Sequence, residues 1–231
     1  MKGFNMIQEE KKQTWLDTPD SQIFINNAAK FGDLMMMYRC AIREVQTKLE
    51  VLDDEFSVEN KRNPISFIKT RIKNPQSIYN KLQKLGYEFT AENIQEQLND
   101  VAGVRVVCAF IDDIYTIANL IAEQDDIKVI KIKDYLKNPK PNGYRSYHMI
   151  VEIPVFFSKG KTPMRVELQI RTNGMDFWAT LEHQLRYKKG IEDLPGYEEI
   201  SKELLLSAQA VIETDNEMQR IKNKIGIFHD I

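Results

Sequence analysis

The chain has 231 residues, enough for one large domain or two small ones, with 42% hydrophobic and 29% charged residues, an ordinary globular balance. Its formal net charge of −2 gives no global field toward nucleic acid or a membrane surface. Two cysteines, Cys40 and Cys108, make neither a disulfide framework nor a zinc site and read as buried free thiols. No apolar run approaches the ~18 residues of a membrane span. The opening Met1-Lys2-Gly3-Phe4-Asn5 lacks the apolar core of a secretion signal, so the expected location is the cytoplasm.

No linker, low-complexity run or internal repeat divides the sequence. Residues 1–27 are polar and mixed and read as a short helix and a loop. Leu34, Tyr38, Ala41, Ile42, Val45, Leu49 and Leu52 recur at helical spacing, which predicts an amphipathic helix; Met35-Met36-Met37 within it read as helix packing. Acids at Glu50, Asp53, Asp54, Glu55 and Glu59 precede a stretch from Lys61 to Tyr87 that holds seven basic residues and no acid. The next element starts at Pro64 and carries Ile65 and Ile68. Asn74-Pro75 then predicts a helix start, Asn as N-cap and Pro at the first helical position, and Gly86 its stop. Ile78, Leu82 and Leu85 form its apolar stripe. Ser77, Lys81 and Lys84 share the opposite face, with Lys73 just before the N-terminus. That face is either solvated or an anion cradle.

Val101 to Phe110 predicts a strand after a turn at Ala102-Gly103, and Asp112-Asp113 cap a short helix through Ile114, Ile117, Leu120 and Ile121. Ile127–Ile132 predicts a second strand, Met149–Phe157 a third, and, after a turn at Ser158–Lys161, Arg165–Thr172 a fourth, the last two as a hairpin. Gly174 to Lys188 is helical, with Met175, Trp178, Leu181 and Leu185 on one stripe, Asp176, Thr180 and His183 on another, and Gly190 as its end. Trp178 and Phe177 are expected in the core. Glu182-His183 do not face one another on a helix and predict no metal site. Ile200 to Ile225 predicts a long helix with Leu204, Val211, Met218 and Ile225 at seven-residue intervals, a spacing suited to packing on another helix, in this chain or another subunit. The fold class expected is α+β: a central mixed β-sheet flanked by helices, with helical segments at both ends.

Two segments carry chemistry. In Arg165–Thr172, Val166, Leu168 and Ile170 point one way while Arg165, Glu167, Gln169 and Arg171 point the other; the second face is an ordinary solvated surface or the floor of a site for metal and phosphates. Lys131–His148 joins two strands and holds Pro139, Pro141, Asn142-Gly143, three tyrosines and several cations. It is a surface loop, or a loop whose cations meet phosphates while a tyrosine stacks on a base for ~1–3 kcal/mol. A loop this long and polar is expected to be mobile without its ligand.

Four motifs together, Asp100-Val-Ala-Gly103-Val-Arg105, Lys131–His148, Val166–Thr172 and Phe177-Trp-Ala-Thr-Leu-Glu-His183, resemble the synthetase domain of the RelA/SpoT family in unchanged order from about Arg71 to His183. The resemblance implies a nucleotidyltransferase-like domain. It implies transfer of a pyrophosphoryl group from ATP to the 3′ hydroxyl of GTP or GDP, giving AMP and the alarmone (p)ppGpp of the stringent response. The chain is similar to the small, single-domain branch. The metal-dependent hydrolase domain of the long members has a paired His-Asp motif, and here the only such pair is His229-Asp230, so synthesis without hydrolysis is implied. The same resemblance to the small branch implies no ribosome-sensing domains. The division implied is a helical extension at 1–60, the synthetase domain at 61–190, and a C-terminal helix at 191–231 for assembly into a homotetramer.

The same resemblance implies roles by motif position. Arg71 and Arg105 are similar to the arginines that sandwich adenine, a role that suits a planar guanidinium. Lys73, Ser77, Lys81 and Lys84 would line the ATP phosphates. Asp100 and Glu167 resemble the carboxylates that hold Mg²⁺, which takes one or two carboxylates plus substrate phosphates; Glu167 also stands where the 3′ hydroxyl is activated. Tyr144 resembles the residue that stacks on guanine. Lys140 and His148 match contacts to the acceptor's phosphates, and Gln169 and Asp176 match guanosine contacts. Lys131-Ile132-Lys133-Asp134 resembles a basic motif that sets fixed positive charge, Lys133 included, beside the polyphosphate. The alternatives are a non-catalytic RNA-binding regulator, which the acids at 100 and 167 disfavour because they repel phosphate, and a nucleotidyltransferase that releases pyrophosphate.

Overall fold

A computed structural model describes residues 19–59, 62–189 and 196–229. Gly190, Asp230 and residues 1–18 lie outside the described residues. Among the described residues, six helices and five strands follow in the order α1 (Pro19–Glu59), β1 (Ile65–Ile72), α2 (Pro75–Leu85), α3 (Ala91–Gln97), β2 (Ala102–Cys108), α4 (Ile111–Ala122), β3 (Lys128–Asp134), β4 (Tyr147–Phe157), β5 (Gly160–Thr172), α5 (Asn173–Lys189) and α6 (Tyr197–His229). The strands form one sheet in the order β1-β2-β5-β4-β3. Only the β2–β5 pair is parallel; the other three pairs are antiparallel. This is the mixed sheet of the expected α+β class.

One face of that sheet is apolar. Leu34, Tyr38, Ala41, Ile42, Val45 and Leu49 of α1 are buried in a single cluster with Val104, Val106, Met149, Val151, Val166, Leu168 and Ile170 of the strands and Ile114, Ile117 and Ile121 of α4. The 3.6-residue period of the helices and the two-residue period of the strands bring these positions together. α1 lies across β1, β2, β4 and β5, so it forms a wall of the main core. It already begins at Pro19, where the polar composition of residues 1–27 gave only a short helix and a loop.

The punctuation residues act as their chemistry requires. Asn74 caps α2, its side-chain oxygen accepting from the Ser77 N–H at 2.7 Å, and Gly86 closes it with φ +79°. The β4–β5 hairpin turns through Ser158-Lys159, with Phe157 opposite Gly160, so β5 begins five residues before Arg165. Pro154 and Pro163 face each other there, beyond the residues that pair with β2 or β3. A missing N–H costs nothing where no neighbouring strand needs it.

Several stripe assignments change at the surface. Leu85, Leu181 and Leu185 are half exposed, and Phe177 is 64% exposed; the inner side of α5 is Met175, Trp178, Ala179 and Glu182 instead. Phe177 therefore leaves the core while Trp178 stays in it. Met35 is buried and Met36 is not. Asp113 sits in the first turn of α4 rather than before it: its carboxylate accepts the Phe110 N–H at 3.0 Å and the two-pronged Arg62 guanidinium at 2.7 and 2.8 Å. Met218 and Ile225 are 52% exposed, so the heptad seam of α6 is only partly covered by this chain.

α6 packs on α5 and α4. Trp178 donates to Ser207 Oγ at 2.9 Å, Thr172 Oγ1 donates to Asp215 at 2.7 Å, and Lys222 reaches Asp112 at 2.6 Å. No helix among the described residues is long and apolar enough to cross a membrane.

Candidate active site

Strand register assembles the opposite, polar face of the sheet. Paired residues on neighbouring strands share a face. Arg71, Gly103, Glu167, Ile150 and Lys131 thus form one row across all five strands, and Lys69, Arg105, Gln169, His148 and Lys133 the next. Lys131, Lys133 and His148, read from the sequence as part of a loop, belong to strands β3 and β4. The loop proper spans 135–146. It is tied by backbone bonds from Tyr135 N–H to the Ser146 carbonyl at 3.0 Å and from Lys140 N–H to the Tyr144 carbonyl at 3.1 Å. Gly143, at φ +86°, turns its end.

Three adjoining cavities lie on this face. The largest, about 510 Å³, is lined by Arg71, Arg105, Lys140, Tyr144, His148, Gln169 and Arg171 and walled by Thr180, Glu182 and His183 of α5. A second, about 170 Å³, lies between Lys69, Arg71, Gly103 and Arg105. The third, about 150 Å³, holds both Asp100 and Glu167 together with Lys81, Lys131, Lys133, His148 and Ile150. A separate apolar pocket between α1 and α3, lined by Phe31, Phe89 and Ile94, shares no lining residue with these. The two carboxylates, 67 positions apart in the chain, therefore meet over one space because β2 and β5 are neighbours in the sheet.

Each acid is held by partners. Asp100 Oδ2 takes Lys73 Nζ at 2.7 Å and Lys81 Nζ at 2.8 Å. Burial pushes this carboxyl up, but the two ammonium groups outweigh it and hold it below the ordinary carboxylate range. Glu167 accepts from Gln169 Nε2 at 2.8 Å and faces His148 Nδ1 at 3.4 Å. Burial again raises it, and the His148 and Gln169 hydrogen bonds outweigh burial, so it too is lowered. Burial lowers His148 below 6.5 against the pull of Glu167. At neutral pH the pair is a carboxylate beside a neutral imidazole.

The donor set fits a hard divalent cation. Asp100 Oδ1 is buried without a hydrogen-bond partner and Glu167 shares its cavity. No group of three or more His, Cys, Asp or Glu side chains among the described residues is arranged for a metal; Mg²⁺ ordinarily takes only one or two carboxylates from a protein.

Most of the residues expected in the site converge. Arg71 and Arg105 face two of the cavities in common. Arg71 lies across Gly103: a Cβ there would stand 3.3 Å from Arg71 Cγ. Lys140 Nζ sits 4.7 Å from the Tyr144 ring centre and 5.0 Å from that of Tyr135. Lys73 and Lys81 meet at Asp100, whereas Ser77 has its N–H on the Asn74 cap and Lys84 is exposed at the far end of α2. Neither lines these cavities. Asp176, expected against the guanosine, is 6% exposed and its Oδ1 accepts from Arg105 at 3.0 Å and Arg171 at 3.1 Å. Arg171, which lines the largest of these cavities, was given no role in the sequence, although alternation already placed it beside Glu167 and Gln169.

Two arginines, several lysines and two acids around adjoining cavities suit an enzyme that transfers phosphate groups between nucleotides. Residues 70–192 match the family model described as the region found in RelA / SpoT proteins. The chain belongs to the RelA/SpoT family. It is 39% identical to GTP pyrophosphokinase YwaC of Bacillus subtilis over 191 residues, covering 83% of this chain and 90% of that protein. It is 33% identical to GTP pyrophosphokinase YjbM of the same organism, with 83% and 88% covered. The fold is similar to that of small alarmone synthetase 1 from B. subtilis bound to its product pppGpp, with a TM-score of 0.78 at 32% identity over 86% of this chain and 99% of that one. Small alarmone synthetase 2 from B. subtilis gives 0.75 at 37% identity, covering 84% and 98%.

Proposed function

We propose that this protein is a GTP pyrophosphokinase: it moves the β,γ-pyrophosphoryl group of ATP to the 3′ hydroxyl of GTP or GDP, releasing AMP and forming (p)ppGpp. The observation that carries the reading is the meeting of Asp100 and Glu167 in one cavity, with the Arg71–Arg105 pair and the Tyr144 loop lining the adjoining space. Adenine lies between Arg71 and Arg105. Lys73 and Lys81 turn from Asp100 to the ATP phosphates; Ser77 and Lys84 extend that cationic helix face outward.

Asp100 and Glu167 would hold Mg²⁺, which would supply positive charge against the phosphates. Guanine stacks on Tyr144. Lys140, which covers that ring in the free protein, is displaced toward the acceptor's phosphates, where Lys133 adds donors; His148 lines the same space, held between Tyr144 and Glu167. Gln169 contacts the guanosine. Glu167, ionised and held by two donors, accepts the 3′ hydroxyl proton as the oxygen attacks the β-phosphorus in line. Positioning and charge are most of what phosphoryl transfer needs. Asp176 contributes through the arginines it neutralises.

The reading extends to a cytoplasmic homotetramer. Leu205, Leu206, Met218, Ile221 and Ile225 on α6 are exposed, a set of apolar residues suited to a second copy of the chain. No observation favours a non-catalytic RNA-binding role.

The test is incubation with Mg²⁺, ATP and GTP or GDP, followed by separation of nucleotides. AMP and a guanosine bearing two added phosphates are expected. Release of pyrophosphate, or no product, would overturn the reading. Glu167→Gln is expected to lower turnover by ~10² or more, the worth of a positioned base, with nucleotide binding retained.

A further inference from the structure

Arg171 is buried, with 5% of its side chain exposed, and every nitrogen of its guanidinium is engaged. Nε donates to Ser146 Oγ at 3.3 Å and Nη1 to Asp176 Oδ1 at 3.1 Å. Nη2 donates to Tyr144 Oη and, at 2.9 Å, to Gln169 Oε1. A buried ion pair contributes little net stability, and an apolar replacement is often neutral. The partners of this one are groups of the site.

Those partners have a definite polarity. A guanidinium can only donate. Tyr144 Oη accepts from Arg171, so its single proton is directed at its other partner, His148 Nε2, 2.9 Å away. A neutral imidazole that accepts at Nε2 carries its proton on Nδ1, and Nδ1 faces Glu167 Oε1 at 3.4 Å. Gln169 is fixed in the same way. Its Oε1 accepts from Arg171, so its NH₂ is the end that donates to Glu167 Oε2 at 2.8 Å. Both hydrogen bonds that reach the Glu167 carboxylate thus trace back to one side chain. On the other side, the Asp176 oxygen that pairs with Arg171 also holds Arg105 Nη1 at 3.0 Å.

We infer that Arg171 is a positioning residue that sets the direction of the hydrogen-bond network around Glu167, selecting the Nδ1–H tautomer of His148 and the orientation of the Gln169 amide, and that anchors Arg105 through Asp176. The catalytic consequence rests on the function proposed above; the tautomer and amide assignments do not. Glu167 keeps its outward lone pairs for the acceptor hydroxyl or a cation because its other positions are filled by fixed donors.

The experiment is nitrogen-15 NMR of the imidazoles in the full-length protein at pH about 7.5, where only three histidines have to be assigned. His148 is expected as the Nδ1–H tautomer. In Arg171→Met the proton is expected to redistribute between the two nitrogens, with turnover per folded enzyme down about tenfold or more, the scale of losing charge-assisted hydrogen bonds. Tyr144→Phe, which breaks only the relay to His148, is expected to shift the tautomer as well and serves if Arg171→Met does not fold. A His148 that is Nε2–H in the unaltered protein, or a tautomer unmoved in a folded Arg171→Met or Tyr144→Phe, would overturn the inference. Absence of product from the unaltered protein would instead overturn the proposed activity.

Discussion

At the scale of single residues, the site is a set of buried polar groups whose charges depend on one another. His148 is lowered by burial and Glu167 by the hydrogen bonds that outweigh burial, and both make acid the destabilising direction. A histidine whose folded pKa is below its unfolded value favours the fold fully above about 6.5 and loses that preference as pH falls toward the folded value. A carboxylate with a depressed folded pKa likewise contributes above its unfolded value and loses the contribution on further acidification. The melting temperature is therefore expected to fall between about pH 7 and about pH 5, and to fall less in His148→Gln; equal slopes would remove the linkage.

Gly103 gives a second test at this scale. A methyl group there meets Arg71 Cγ at 3.3 Å and Nε at 3.4 Å, and an exposed arginine yields more easily than backbone. Gly103→Ala is expected to leave the melting temperature nearly unchanged while raising KM for ATP about fivefold, the ~1 kcal/mol of a stacked guanidinium. KM for GTP should not move.

At the scale of elements, α6 supports the 135–146 loop. A Cβ on Gly143 would lie 2.5 Å from Ala208 Cβ and 3.2 Å from Leu205 Cδ1, and Trp178, Ala179 and Ala208 form a small apolar cluster on which Tyr144 and Val211 pack. Gly143→Ala combines a positive φ with this overlap. It is expected to cost ~1–3 kcal/mol, read as a lower melting temperature, and to raise KM for GTP with KM for ATP unchanged. The α2 cap, the hairpin and the heptad spacing of α6 were legible in the sequence because each depends on neighbours within a few residues. The outward turn of Phe177, Leu181 and Leu185 was not: which side of α5 is inner depends on where α6 lies, and periodicity gives a stripe without saying what covers it.

At the scale of the whole molecule, one face of the sheet is closed by α1 and α4 and the other is left open for polar chemistry, so stability and function occupy opposite sides of the same strands. One apolar side of α6 is exposed within a single chain. Leu206 is 69% exposed, so Leu206→Glu is expected to leave the melting temperature of a single subunit unchanged and to lower the molar mass measured by light scattering, because burying an unpaired charge opposes association. An unaltered protein that is monomeric would end the assembly reading.

The sequence alone settled which residues were available: the α+β class, the strand face that carries Glu167, the capped cationic helix, and the motifs of the RelA/SpoT family. These follow from short-range periodicity and from residue chemistry. Only the tertiary structure decided which of them meet. Parallel pairing of β2 with β5 brings Asp100 and Glu167 to one cavity, Lys73 and Lys81 close on the first of them, and Asp176 turns inward to two arginines. Such contacts join residues tens of positions apart, and register and packing set them, not local sequence.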